Sequence, residues 1–98
     1  MFMYIQIMIV SFRCNETKKI MNRDYSPAFS RPVQKIAMRK LWQIDAAAKI
    51  NDLRIPLLNQ LIMVRGIRRG IYLIHINNTC KIRFTWKKNN AYNVKITH

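Results

Sequence analysis

Acidic residues are scarce in this sequence and absent from its C-terminal half. The 98 residues include 18 lysines and arginines and four carboxylates, which gives a formal net charge of +14. The carboxylates are Glu16, Asp24, Asp45 and Asp52. Residues 53–98 carry nine cations and no acid, so that half cannot supply paired carboxylates for acid–base catalysis or for Mg²⁺. A two-metal nuclease site would need the three aspartates to converge from the N-terminal half, and we expect no metal.

Cysteine, glycine and long apolar runs are also limited. Cys14 and Cys80 have neither CxxC nor Cys/His ligand spacing, which argues against a zinc site, and we expect both to be small buried side chains in a reducing cytosol. With two glycines, the chain has no phosphate-binding loop and no dinucleotide-binding motif. The apolar residues 1–10 lack signal-peptide features and are too short to span a bilayer. We therefore predict a cytoplasmic protein with no cofactor and no membrane association.

Apolar residues make up 50% of the chain, which is enough for a folded core. A chain of this length buries about 60–65% of its unfolded surface and has room for one core, so we predict a single domain over residues 1–98. Its charge attracts polyanions through counterion release, and nucleic acid is the commonest intracellular polyanion. The alternative is that the charge reflects an AT-rich genome, in which lysine, asparagine and isoleucine codons accumulate regardless of function.

The N-terminal half predicts one strand and two helices. Residues 4–12 are β-branched and aromatic, as expected for a strand. A short helix is predicted from an N-cap at Asn15 to Ile20, and a second from an N-cap at Ser30 to near Ala47. Residues at helical spacing predict the buried face of the second helix, namely Val33, Ile36, Ala37, Lys40, Leu41 and Ile44.

The C-terminal half predicts an antiparallel meander. Its β-rich runs cover residues 59–65, 71–76, 80–87 and 91–97. Alternate apolar residues predict the face that packs on the helices, namely Cys80, Ile82, Phe84, Trp86, Tyr92, Val94 and Ile96. The intervening residues predict a solvated, cationic face, namely Lys81, Arg83, Thr85, Lys87, Asn93, Lys95 and Thr97. The fold class predicted is α+β.

A cationic, acid-free sheet face can still cleave RNA, because the 2′-OH of the substrate is an internal nucleophile. The protein then has to align that hydroxyl, stabilise the charge of the phosphorane and move two protons. The candidate cations are Arg65, Lys81 and Arg83, and the candidate proton carriers are His75, His98 and Tyr92. The alternative is a strand face that is cationic for solubility or that only holds a phosphate backbone.

Short motifs in a fixed order run along nearly the whole chain. They begin with Met8-Ile9-Val10-Ser11-Phe12-Arg13, Glu16-Thr17, Lys19-Ile20 and Asn22, followed by Arg39-Lys40-Leu41, Ile44-Asp45-Ala46-Ala47 and Asp52-Leu53-Arg54-Ile55-Pro56. They continue with Asn59-Gln60-Leu61, Gly66, Arg68, Gly70, Tyr72, Ile74, Ile76-Asn77, Ile82, Phe84, Trp86 and Ala91-Tyr92. In this order and spacing, from Met8 to about Ile96, the chain resembles the HigB toxins, the plasmid maintenance killer family of the RelE-like superfamily.

The resemblance implies a RelE-like fold, with two N-terminal helices packed on a twisted antiparallel sheet of four to five strands. Residues 1–7 would be an upstream extension. It also implies the toxin of a type II toxin-antitoxin system: a ribosome-dependent, metal-independent mRNA endonuclease, inhibited by a HigA-type helix-turn-helix antitoxin. We expect Lys81 to be the transition-state cation, Arg65 to bind a phosphate and His98 to protonate the leaving 5′ oxygen. The expected RNA-binding residues are Arg68, Arg69, Arg83, Tyr92 and Lys95.

Several positions depart from the pattern of that family. Ile62 stands where the family has histidine or an acid, and Cys80-Lys81 replaces a Trp-Arg pair, which keeps the charge but loses the planar guanidinium. Asn93 replaces an aspartate, and the Asp-Tyr-His ending of the family is truncated at His98. The alternative function is therefore a catalytically weakened or inactive homologue that only binds RNA, the ribosome or the antitoxin.

Overall fold

The helices precede the strands along the chain. The computed structural model describes residues 9–54, 59–64 and 70–97. The helices are α1 (Asn15–Met21), α2 (Arg31–Ala46) and a 3-10 helix (Ile50–Leu53). The strands are β1 (Ile62–Met63), β2 (Ile71–His75), β3 (Lys81–Lys87) and β4 (Asn90–Thr97). They form one sheet in the order β1-β2-β3-β4 with every neighbouring pair antiparallel, so the predicted α+β class and meander are confirmed.

Both helices begin close to their predicted starts. The hydroxyl of Ser30 accepts a hydrogen bond from the backbone N–H of Val33 at 3.4 Å, which confirms Ser30 as the N-cap of α2. The N-cap of α1 is Cys14, one residue before the predicted Asn15. Cys14 is half-buried at this helix end rather than buried as predicted. No helix in the described part of the chain is long and apolar enough to cross a membrane.

Helix α2 packs on the sheet through one face. Ala37, Leu41 and Ile44 are fully buried there. Ile36, at the edge of the predicted stripe, is 38% exposed, so the prediction was wrong at this position. Helix α1 covers the other side of α2, where the indole N–H of Trp42 donates to a backbone carbonyl of α1 at 3.2 Å, and the edge that carries Ile36 is left in solvent.

The core lies between the helices and the inner face of the sheet. Ile74, Ile82 and Ile96 are paired across β2, β3 and β4, and each is at most 3% exposed. Phe84 and Val94 continue this buried layer. The opposite, outer face of the sheet points away from the helices, because successive strand residues alternate between the faces.

A β-bulge changes the alternation in β4. The register between β3 and β4 shifts between Arg83 and Thr85, and Asn93 has a φ of +54°. Tyr92 pairs with Thr85 and lies on the outer face, whereas Val94 is buried. The prediction that Tyr92 shares the helix-facing side was wrong, because an extra residue in one strand reverses the alternation before the bulge.

An N-terminal segment, residues 9–13, adds to the free edge of β4 in parallel orientation. The N–H of Val10 donates to the carbonyl of Ala91 at 2.7 Å, and the N–H of Arg13 donates to that of Val94 at 3.0 Å. This segment is the described part of the predicted first strand. The predicted strand over residues 59–65 is reduced to β1, with its last position outside the described residues.

Candidate nucleic-acid interface

The outer face of the sheet carries a block of cations. Arg83 and Lys95 are cross-strand partners, and Lys81 precedes Arg83 by two residues on the same face of β3. Directly opposed residues have Cβ atoms about 4.5–5.5 Å apart, and like charges in such a pair destabilise the sheet. Within the described part of the chain, no carboxylate forms an ion pair with these three side chains. An anion bound between Arg83 and Lys95 would relieve this repulsion.

A cavity of about 360 Å³ opens beside this pair. Its lining residues come from the N-terminal segment and from β2, β3 and β4: Arg13, Ile71, Arg83, Phe84, Thr85, Asn93, Lys95 and Thr97. Three cations, two hydroxyls and one amide are hydrogen-bond donors of the kinds that bind phosphate oxygens. Among the described residues, no carboxylate lines the cavity, so its lining favours anions.

Arg13 and Asn93 were missed as site residues by sequence reasoning. Arg13 reaches the cavity because the N-terminal segment pairs with β4, and the hydroxyl of Ser11 accepts a hydrogen bond from the backbone N–H of Asn93 at 2.9 Å. These contacts join residues about 80 positions apart, which no local pattern indicates. The available signal was that Arg13 ends the first of the ordered motifs.

Cross-strand partners form rows across the outer face of the sheet. The row next to that of Arg83 and Lys95 contains an imidazole. His75 is paired with Lys81 across β2 and β3, and Lys81 is paired with Thr97 across β3 and β4. The His75 side chain is half-buried and forms no hydrogen bond with the other described residues. An imidazole ring can accept a proton and, once protonated, can donate one, so a candidate proton carrier lies next to Lys81.

The row that contains Arg83 has an apolar side chain at its β1 end. Ile62 of β1 is paired with Leu73, and Leu73 is paired with Arg83. Ile62 is 50% exposed. No proton carrier therefore occupies the position at which the HigB pattern has a histidine or an acid.

The structure brings together five of the predicted site residues. They are His75, Lys81, Arg83, Lys95 and, beside Thr85, Tyr92. The other predicted positions lie outside the described residues, namely Arg65, Arg68, Arg69 and His98.

The carboxylates support the helical half of the protein. Asp45 accepts from the backbone N–H of Ile9 at 3.2 Å, and Asp52 accepts from that of Ala48 at 2.9 Å. Glu16 accepts from the hydroxyl of Ser26 at 2.5 Å. Among the residues that the structure describes, no group of three histidine, cysteine, aspartate or glutamate side chains is placed to hold a metal ion.

Helices on one side of a small meander and an acid-free cationic face on the other define a small, basic, RelE-like protein. The chain belongs to the HigB-like toxin family: the family profile, described as RelE-like toxin of type II toxin-antitoxin system HigB, matches residues 10–98. The RelE-like fold implied by the resemblance is thereby confirmed. No curated protein shows a significant match. RelE-like toxins are generally endoribonucleases, and membership of a type II system implies an antitoxin partner.

Proposed function

We propose that this toxin is a ribosome-dependent, metal-independent mRNA endonuclease that acts in the cytoplasm, is inhibited by a HigA-type helix-turn-helix antitoxin, and forms one domain over residues 1–98. The observation that carries the proposal is the outer face of the sheet, where Arg83 opposes Lys95 beside an anion-favouring cavity. RNA presents the phosphates for such a face and also supplies the 2′-OH nucleophile.

The cations have different roles according to their positions on the sheet. Lys81 stabilises the extra negative charge of the phosphorane, because it lies between His75 and Thr97 in the row that contains the proton carrier. Arg83 and Lys95, with Arg13 across the cavity, hold a neighbouring phosphate and fix the register of the strand. Such pre-positioned charge lowers the barrier because it needs no reorganisation during the reaction.

The proton carriers complete the reaction. The 2′ oxygen attacks phosphorus as its proton leaves to His75, and the bond from phosphorus to the 5′ oxygen breaks as His98 donates a proton to that oxygen. The products are a 2′,3′-cyclic phosphate and a 5′-hydroxyl. Tyr92, on the outer face beside Thr85, stacks on a base. The remaining proposed RNA-binding and phosphate-binding residues are Arg65, Arg68 and Arg69.

The test is cleavage of mRNA on programmed ribosomes by the purified toxin. We expect Lys81→Ala to lower the cleavage rate by about 10²-fold, as for loss of one transition-state charge contact. Lys18→Ala, an exposed lysine on α1, is the matched control and should cleave at the wild-type rate. A 2′-deoxy nucleotide at the cleavage site should abolish the reaction. Cleavage of that substrate, or equal rates for both variants, would refute the mechanism.

The second candidate function is binding without cleavage. It is favoured by Ile62, which puts an exposed apolar side chain in the row of Arg83. If a missing proton carrier is the defect, the wild-type toxin binds programmed ribosomes without cutting mRNA, and Ile62→His restores cleavage. Ile62→Gln, polar but without a titratable group, is the control and should stay inactive. Full cleavage by the wild type would rule out this candidate.

A further inference from the structure

A groove of about 910 Å³ lies on the helical side of the protein, between the end of α1, the loop after it and α2. Its α2 residues include Lys35, Met38 and Trp42. The groove shares no lining residue with the cavity beside Arg83 and Lys95. The groove and the outer sheet face are therefore separate surfaces.

Two arginines in the groove are stacked on aromatic rings. The guanidinium carbon of Arg23 lies 4.7 Å from the ring centroid of Trp42, and that of Arg31 lies 4.8 Å from the ring centroid of Tyr25. Stacking holds a guanidinium in place while its N–H groups stay available at the edge. In the described part of the chain, no carboxylate ion-pairs with either arginine. Both guanidinium groups can therefore donate hydrogen bonds to a carboxylate from another molecule.

The rest of the groove combines positive charge with an apolar floor. Lys35 and Arg39 bring its cations to four, against one carboxylate, Asp24. Ile20 and Met38 contribute apolar surface. A cationic rim around an apolar floor matches an amphipathic helix with acidic flanks. It matches RNA less well, since the stacked guanidinium groups already cover ring faces on which a base would stack.

We propose that this groove binds an acidic amphipathic helix of the protein antitoxin. Apolar side chains of that helix pack on Met38 and Trp42, and its carboxylates pair with Arg23 and Arg31. This inference rests on the proposed pairing with an antitoxin. It does not depend on whether the toxin cleaves RNA.

The experiment measures binding of the full-length toxin to a purified HigA-type helix-turn-helix antitoxin. Arg23→Glu combined with Arg31→Glu reverses the two exposed, ring-stacked charges of the groove. Lys18→Glu combined with Lys49→Glu makes the same charge change at exposed positions outside it. We expect Kd to rise at least about tenfold for the groove variant, in line with loss of two interfacial charge pairs, and to stay near wild type for the control. Circular dichroism checks that both variants fold.

A second readout reports contact at the groove itself. With Trp86→Phe as the background, Trp42 is the single tryptophan, and antitoxin binding should shift its fluorescence. The inference is overturned if the groove variant binds the antitoxin like wild type, if Arg83→Glu rather than the groove variant abolishes binding, or if no complex forms. Loss of RNA oligonucleotide binding in the groove variant alone would also overturn it. The ribosome cleavage assay judges the nuclease separately, because an inactive toxin that binds the antitoxin through the groove leaves the inference intact.

Discussion

At the residue scale, Glu16 links α1 to the loop that follows it. Its carboxylate accepts hydrogen bonds from the hydroxyl of Ser26 at 2.5 Å and from the ammonium group of Lys19 at 3.2 Å. The hydrogen bond from Ser26, and to a smaller extent that from Lys19, holds the pKa of Glu16 below its ordinary value of 4.5. At a pH between the folded and unfolded pKa values of Glu16, the unfolded chain therefore binds more protons than the folded protein. The contribution of Glu16 to stability is complete above its unfolded pKa and is lost as pH falls through its folded pKa.

We expect Glu16→Gln to lower stability at neutral pH and to have little effect at a pH well below 4.5, the ordinary value. The measurement is the urea midpoint of each variant across that range. Ser26→Ala, alone and combined with Glu16→Gln, completes a double-mutant cycle and tests whether the effect belongs to this hydrogen bond. A loss of stability that is equal at both pH values would contradict the assignment.

At the scale of elements, the hairpin between β3 and β4 contains a lysine in an unfavourable conformation. Lys88 and Asn89 have φ values of +51° and +61°, the pattern of a two-residue type I′ turn, which favours asparagine followed by glycine. A lysine in the left-handed region costs about 1–2 kcal/mol. Asn89 tolerates this region better, so the unfavourable position is Lys88.

Lys88→Gly should therefore stabilise the protein by up to about 1 kcal/mol, after the backbone entropy of glycine is set against the relief of strain. Lys87→Gly, one position earlier in the exposed end of β3, is the matched control and should destabilise by about 0.5–1 kcal/mol. Thermal or urea unfolding measures both changes. Destabilisation by Lys88→Gly equal to that of the control would show that the turn is not strained.

The elements that were predicted well from the sequence depend on residues that are close together along the chain. The N-cap Ser30 and the alternation through β3 are local patterns, and the structure has both. The bulge at Asn93 and the placement of Arg13 beside the cavity depend instead on pairing between the N-terminal segment and β4. A strand pattern read alone therefore put Tyr92 on the wrong face and omitted Arg13 from the site.

At the scale of the whole molecule, cations that contribute to the net charge of +14 are grouped on two surfaces of the described part of the chain. One cationic surface is the outer sheet face, and the other is the groove across α2. Lys95 belongs to the first and Lys35 to the second. If the charge reflected codon composition alone, every exposed lysine would contribute equally to RNA binding. If the sheet face is the RNA site, the contribution depends on position.

The salt dependence of RNA binding separates these two explanations. For single-stranded RNA, each phosphate contact contributes about −0.7 to the slope of log K against log salt concentration. We expect Lys95→Gln to weaken binding of an oligonucleotide regardless of its sequence and to make the slope shallower by about 0.7. Lys35→Gln carries the same charge change in the groove, and its slope should match that of wild type. Equal changes in both variants would favour diffuse attraction to a basic protein, since only a defined phosphate contact makes the two lysines differ.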